Sequence, residues 1–148
     1  MFRGEKRLKK LHLLLTLFLC TLLLYACQSQ EEKMMLIDNI TSISVSESAG
    51  YGGMNEDYFT TIDKYALISK FEEVVKNAEG KKQKVDVYEE KPDYDILVRY
   101  HNGDTHGLHL VLENTGKKSR IMYIGHEQNG FDISPGDTKI LRDILEHR

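Results

Sequence analysis

The sequence predicts an α+β domain, an antiparallel β-sheet meander with two helices packed on one face. Three observations predict it: several short runs alternate apolar and polar residues, two segments repeat apolar residues at helical spacing, and Asn102-Gly103-Asp104 stands between two alternating runs. In Ile40–Ser46, Ile43 and Val45 alternate with Ser42, Ser44 and Ser46, which fits a first strand. Ser48–Glu56 breaks that pattern with Gly50, Gly52 and Gly53, and Tyr58–Ile62 fits a short second strand. Asp63 is the expected N-cap of a helix ending before Gly80, with Leu67, Phe71, Val74, Val75 and Ala78 as its apolar stripe.

Lys84–Tyr88 is expected as a strand, followed by an acidic, Pro92-containing break at Glu89–Asp93. Tyr94–Glu113 is the clearest hairpin. A three-residue turn places His101 opposite Thr105 and puts Tyr94, Ile96, Val98 and Tyr100 on one face with His106, Leu108, Leu110 and Leu112. A two-residue turn would separate these apolar sets, so three residues are expected. Gly116 marks a further turn, and Arg120–Ile124 and Gly130–Ile133 fit strands. Ser134-Pro135-Gly136-Asp137 has the order of a helix start, with Ser as N-cap, Pro at the first helical position and Asp at the third. Ile140, Leu141, Ile144 and Leu145 line one side of that last helix.

The 148 residues are 41% apolar, but the apolar residues concentrate in Leu11–Ala26. A basic Met1–Lys10, an apolar Leu11–Tyr25 and a small residue before Cys27 form the three parts of an export signal. The alternative, an uncleaved transmembrane anchor, is disfavoured because the stretch is shorter than the roughly 20 residues that cross a bilayer. The expected organisation is a signal peptide at 1–26, a lipidated Cys27 with a short tether at 27–33, and one extracytoplasmic domain at 34–148. Five of the 20 Lys and Arg and one of the 23 Asp and Glu precede Cys27, which leaves a formal charge of −7 on the remainder. That charge excludes nucleic acid as an expected partner, because affinity for a polyanion comes from clustered Lys and Arg.

Leu24-Tyr25-Ala26-Cys27 resembles the lipobox of bacterial lipoproteins, and the resemblance implies a diacylglyceryl group on the Cys27 thiol. Cys20, preceded by the large Leu19, is a poor rival. The membrane, held through lipid on Cys27 at the outer face of the cytoplasmic membrane, is then an expected partner. With Cys20 removed and Cys27 lipidated, no thiol remains for a disulfide, a metal or catalysis. Further along, Pro92 to Tyr100, Asn102-Gly103, Gly107-Leu108-His109-Leu110, Ser119-Arg120-Ile121-Met122 and Gly50 to Asn55 resemble the YhfM-like domain of small Bacillus lipoproteins. That resemblance implies a membrane-attached protein and no reaction.

The histidines raise a metal hypothesis, which their spacing weakens: His106 and His109 are three apart on a strand and point to opposite faces. Asp95, Arg99, His101, His109 and Val111 share a face that has the residue types for acid–base chemistry, but no short nucleophile motif accompanies them. His109, between Leu108 and Leu110, reads as marking the wet side of the sheet. Gly50, Gly52 and Gly53 around Tyr51 read either as a hairpin turn with a bulge or as a ligand-binding loop. They lack the Gly-Lys-Ser/Thr end of a phosphate loop. The expected function is a lipid-anchored, non-catalytic binding domain whose contacts are Tyr51, Gly52, Gly53, Asn55, Arg99 and His109, with an envelope protein as partner and no cofactor, metal site or catalytic residue. The alternatives are a small envelope hydrolase or metal-dependent enzyme, and a protein that only masks a partner.

Overall fold

The computed structural model describes residues 7–10, 12, 14–15, 33–36, 39–81, 84–88 and 90–146. The chain forms two compact units, Met1–Gln30 and Glu31–Arg148. In the first, the described residues are helical, and His12 Nδ1 donates to the Leu8 carbonyl at 3.0 Å. No helix among the described residues is long and apolar enough to cross a membrane. The expected lipidation motif, Leu24–Cys27, and most of the expected tether lie outside the described residues.

The second unit runs β1 (Ile40–Glu47), β2 (Thr60–Ile62), α1 (Tyr65–Asn77), β3 (Glu79–Gly80), β4 (Tyr94–Tyr100), β5 (Thr105–Val111), β6 (Ser119–Tyr123), β7 (Phe131–Ile133) and α2 (Pro135–Glu146). The strands form one seven-stranded antiparallel sheet in the order β2-β1-β4-β5-β6-β7-β3. Strands β4 to β7 follow one another as a meander. The expected continuous meander is corrected at both ends, because α1 carries the chain from the β2 edge to the β3 edge before β4 returns beside β1.

One face of the sheet is apolar. Ile43, Val45, Ile96, Val98, Leu108, Leu110, Ile121 and Ile133 join Phe71 and Val74 of α1 and Leu141 and Ile144 of α2 in a single core. Ile68, Phe71, Val74 and Val75 recur at three- and four-residue spacing, so one stripe of α1 is buried. Its start is one residue later than expected: Lys64, not Asp63, is the N-cap, and its backbone carbonyl accepts from Leu67 and Ile68 without a side-chain cap. The buried stripe, rather than a capping side chain, sets where this helix begins. At α2 the expected box forms, with Ser134 Oγ accepting from the Asp137 N–H at 3.1 Å and donating to Asp137 Oδ2 at 2.9 Å.

Two further expectations are corrected. Lys84–Tyr88 is not a strand: Asp86 Oδ1 accepts from the Tyr88 N–H at 2.9 Å, a local bond that competes with sheet pairing. Glu79–Gly80 pairs with β7 in its place. The hairpin turn does have three residues, but they are His101, Asn102 and Gly103, closed by Tyr100 N–H donating to the Asp104 carbonyl at 3.0 Å. Gly103 sits at φ 91°, a left-handed conformation that glycine adopts without steric cost. Arg99 therefore faces Thr105 and Asp95 faces His109. A shift of two residues moves every rung but leaves each side chain on its expected face, because the period of a strand is two.

The opposite face carries Ser44, Ser46, Asp95 and His109, each at most 1% exposed. Residues 48–59, between β1 and β2, and the segment containing Val85 cover it, with Val85, Val111 and Met122 forming a second apolar cluster against Tyr51. The Ser134 cap tests the assignment of α2: Ser134→Ala is expected to cost about 1 kcal/mol in urea unfolding, while leaving the far-UV spectrum of the folded protein unchanged.

Candidate functional site

The register of β4 on β5 sets Asp95 directly opposite His109 near the middle of the sheet. Asp95 Oδ1 lies 2.7 Å from His109 Nδ1, and neither side chain has any exposure. A carboxylate only accepts, so Nδ1 carries the hydrogen, and in the neutral ring Nε2 is the nitrogen left with the lone pair. Asp95 Oδ2 accepts from the Asn55 N–H at 2.7 Å, so both carboxylate oxygens are occupied. Ser46 Oγ donates to the Asn55 carbonyl at 2.5 Å and lies 3.5 Å from the Asp95 carbonyl. Asn55 Nδ2 in turn donates to the Glu47 carbonyl at 2.9 Å. The loop after β1 is thus pinned onto the sheet through Asn55.

That loop joins the antiparallel strands β1 and β2 as a long connection that folds back over the sheet. Gly50 and Gly52 sit at φ 112° and 99° on either side of Tyr51, and this pair of left-handed positions accompanies a Tyr51 ring turned inward. The ring meets the imidazole of His109 edge on, with centroids 5.4 Å apart and an interplanar angle of 89°. His109 is consequently buried, correcting the expectation that it marks the wet side of the sheet. Burial first, and then the Glu90 carboxylate, push the Tyr51 phenol above its ordinary value of 10.0, with Glu127 adding to the rise and Arg120 opposing it.

Glu127, in the turn between β6 and β7, brings Oε1 to 3.7 Å from His109 Nε2. Its carboxylate accepts from the Gly125 N–H at 2.8 Å. Burial works against its ionisation, but the N–H groups of Gly125 and Glu127 itself, with His109 and His126 nearby, hold it below the ordinary carboxylate range. Glu127 also lines a cleft of about 310 Å³ with Lys84, Gly125, His126, Gln128 and Asn129. The cleft and the buried imidazole therefore meet at one carboxylate. Nothing in the sequence singles out Glu127, which stands 18 residues after His109 and reaches it only because the β6–β7 turn folds over the sheet.

The other expected contacts divide. Tyr51, Asn55 and His109 come together, and Gly52 and Gly53 stand in the same loop with open space where a Cβ would project. Arg99 lies on the same face but turns to other partners: Nη1 donates to Ser44 Oγ at 2.6 Å, and its guanidinium carbon stands 5.8 Å from the centre of the Tyr58 ring. His101 is exposed at the hairpin tip, and His106 meets Tyr100 Oη through Nδ1 at 2.8 Å on the apolar side. Among the described residues, no group of three or more His, Cys, Asp or Glu is placed to hold a metal ion.

No family model matches the sequence, and neither does any curated protein. Among solved structures, the chain is similar to a thioesterase-like protein from Clostridium sporogenes ATCC 15579, with a TM-score of 0.60 and 22% identity over 77% of this chain and 100% of that one. At this identity the likeness shows a shared fold. It corrects three expectations: the YhfM-like domain, the non-catalytic binding function and the absence of enzyme activity, since the fold is that of a thioesterase-like protein. The residues quoted for the YhfM-like resemblance are alternating strand and turn residues, which many antiparallel hairpins need and which carry little family specificity.

Asp95 accepts from the buried His109 Nδ1–H and from the half-buried Asn55 N–H, so its loss leaves both donors without that partner. Asp95→Ala is expected to destabilise the domain by about 3–5 kcal/mol in urea unfolding, and Asp95→Asn, which keeps an acceptor oxygen, by less.

Proposed function

We propose that the protein is a small thioester hydrolase in which His109 is the general base and Asp95 its positioning residue. The observation that carries the reading is the buried Asp95–His109 pair, which leaves Nε2 without a hydrogen-bond partner, on a fold shared with a thioesterase-like protein. Asp95 fixes the imidazole's orientation and tautomer and stabilises the imidazolium that forms during the reaction.

The attacking oxygen comes from water. Both cysteines precede residue 28, and the two buried serines of β1 on the same side as His109 are committed, Ser44 to Arg99 and Thr61 and Ser46 to Asn55 and Asp95. Nε2 takes a proton from water as its oxygen bonds to the thioester carbonyl carbon. The tetrahedral adduct then collapses, the C–S bond breaks, and the departing sulfur receives the proton from the imidazolium, giving a carboxylic acid and a thiol. A thiolate is a good leaving group, so a positioned base meets most of what the reaction needs. The approach for substrate in this reading is the cleft lined by Glu127, whose Oε1 lies 3.7 Å from Nε2.

Membrane attachment through Cys27 belongs to the same proposal, supported by the order of basic, apolar and Cys residues at the start of the chain. It would place the hydrolase at the outer face of the cytoplasmic membrane. Metabolic labelling with radioactive palmitate is expected to mark the wild-type protein and not Cys27→Ser. Equal labelling of the two would remove the anchor from the proposal.

The activity is tested with the full-length chain in detergent, following thiol release from acyl-coenzyme A thioesters of two to sixteen carbons. His109→Ala is expected to lower kcat by about 10²- to 10⁴-fold. Asp95→Asn is expected to lower kcat and to move the acid limb of the pH profile, a readout that loss of packing alone would leave in place. Wild-type protein no faster than buffer on every thioester, or full activity in His109→Ala, would overturn the reading.

A further inference from the structure

Two buried side-chain polar atoms among the described residues lack a hydrogen-bond partner: Tyr51 Oη and His109 Nε2. They belong to rings in edge-on contact, and the Glu127 carboxylate acts electrostatically on both side chains. A buried hydroxyl without a partner destabilises the folded state, and two such atoms on touching rings concentrate that cost in one place. In the neutral imidazole Nε2 presents a lone pair and Tyr51 presents a proton, yet no hydrogen bond joins the two. A group that completes both must donate to one and accept from the other. A thioester carbonyl under attack by water is such a group: the water gives its proton to Nε2, and the carbonyl oxygen gains negative charge and needs a donor.

We infer that the Tyr51 O–H is that donor, a catalytic residue that stabilises the carbonyl oxygen as it becomes an oxyanion. The inference rests on the hydrolase reading above and adds the electrophilic half of its machinery. Packing alone does not explain the hydroxyl. The ring lies against Val85, Val111 and Met122, where phenylalanine would serve the apolar contacts equally and leave no orphan. The loop holds the phenol in place through Gly50 and Gly52 beside it and through Asn55, whose N–H is bonded to the same Asp95 that positions the imidazole. Donor and base are thereby referenced to one carboxylate. With its ionisation displaced upward by burial and by Glu90, the phenol keeps its proton throughout the neutral range.

Tyr51→Phe in the full-length chain separates the roles. The expected result is a fall of about a hundred-fold in kcat with KM changed little, while the melting temperature stays level or rises because a buried unpartnered hydroxyl has gone. The pH profile gives an independent readout: the wild type loses kcat as the phenol ionises above pH 10, and Tyr51→Phe lacks that limb. Tyr51→Phe with wild-type kcat, in a preparation where His109→Ala is inactive, would overturn the inference and leave the hydrolase reading standing. A lowered melting temperature with kcat and the alkaline limb unchanged would assign the hydroxyl a structural part and overturn it too. A wild-type protein without thioesterase activity would overturn both.

Discussion

The hydrogen bond between Asp95 and His109 is the interaction on which the rest of the polar face depends. It joins β4 to β5 across one rung, and through Asp95 Oδ2 it also holds the loop that follows β1. A carboxylate taken out of water is costly unless its lone pairs are filled, and here they are filled from two separate parts of the chain. The arrangement is therefore mutual: the loop excludes water from the pair, and the pair supplies the acceptor that keeps the loop down. Ser46 and Asn55 extend the same network back to β1.

The apolar face supports this polar assembly. Both helices and the inward residues of β1 and β4 to β7 share one core, so the strands that carry Asp95 and His109 are fixed in register from behind. Burial of that face is non-directional and roughly proportional to area, which makes it tolerant of exact partners. The polar face is the reverse. Its groups must meet at hydrogen-bond distance, and an error of one residue in register would turn Asp95 and His109 into the apolar core. The core thus supplies stability while the hairpin register supplies position.

Against this well-satisfied background the two orphan atoms stand out. Buried polar groups in folded proteins are generally paired, and departures from that rule are concentrated at functional sites. His109 Nε2 lies 3.7 Å from Glu127, a residue that lines a cleft, and the Tyr51 ring meets the same imidazole edge on. The proposed chemistry follows from what these atoms lack as much as from what they are.

Much of the architecture was legible in the residues. Alternation in β1, β4 and β5, the stripe of α1 and the Ser134 box are local patterns, and local patterns are set by strand and helix periods. The placement of Asp95, Arg99 and His109 on one face followed from parity alone, and it survived the two-residue shift in register. The sequence by itself thus determined both helices, the long strands β1, β4 and β5 with the side each residue faces, and the acidic net charge. Only the tertiary structure decided that Glu79–Gly80 pairs with β7, that the loop after β1 closes over the sheet, and that Glu127 reaches His109 from another turn. Those contacts join residues 18 to 53 positions apart, and pairings at such separations are selected by the energy of the packed whole, which no short stretch of sequence contains.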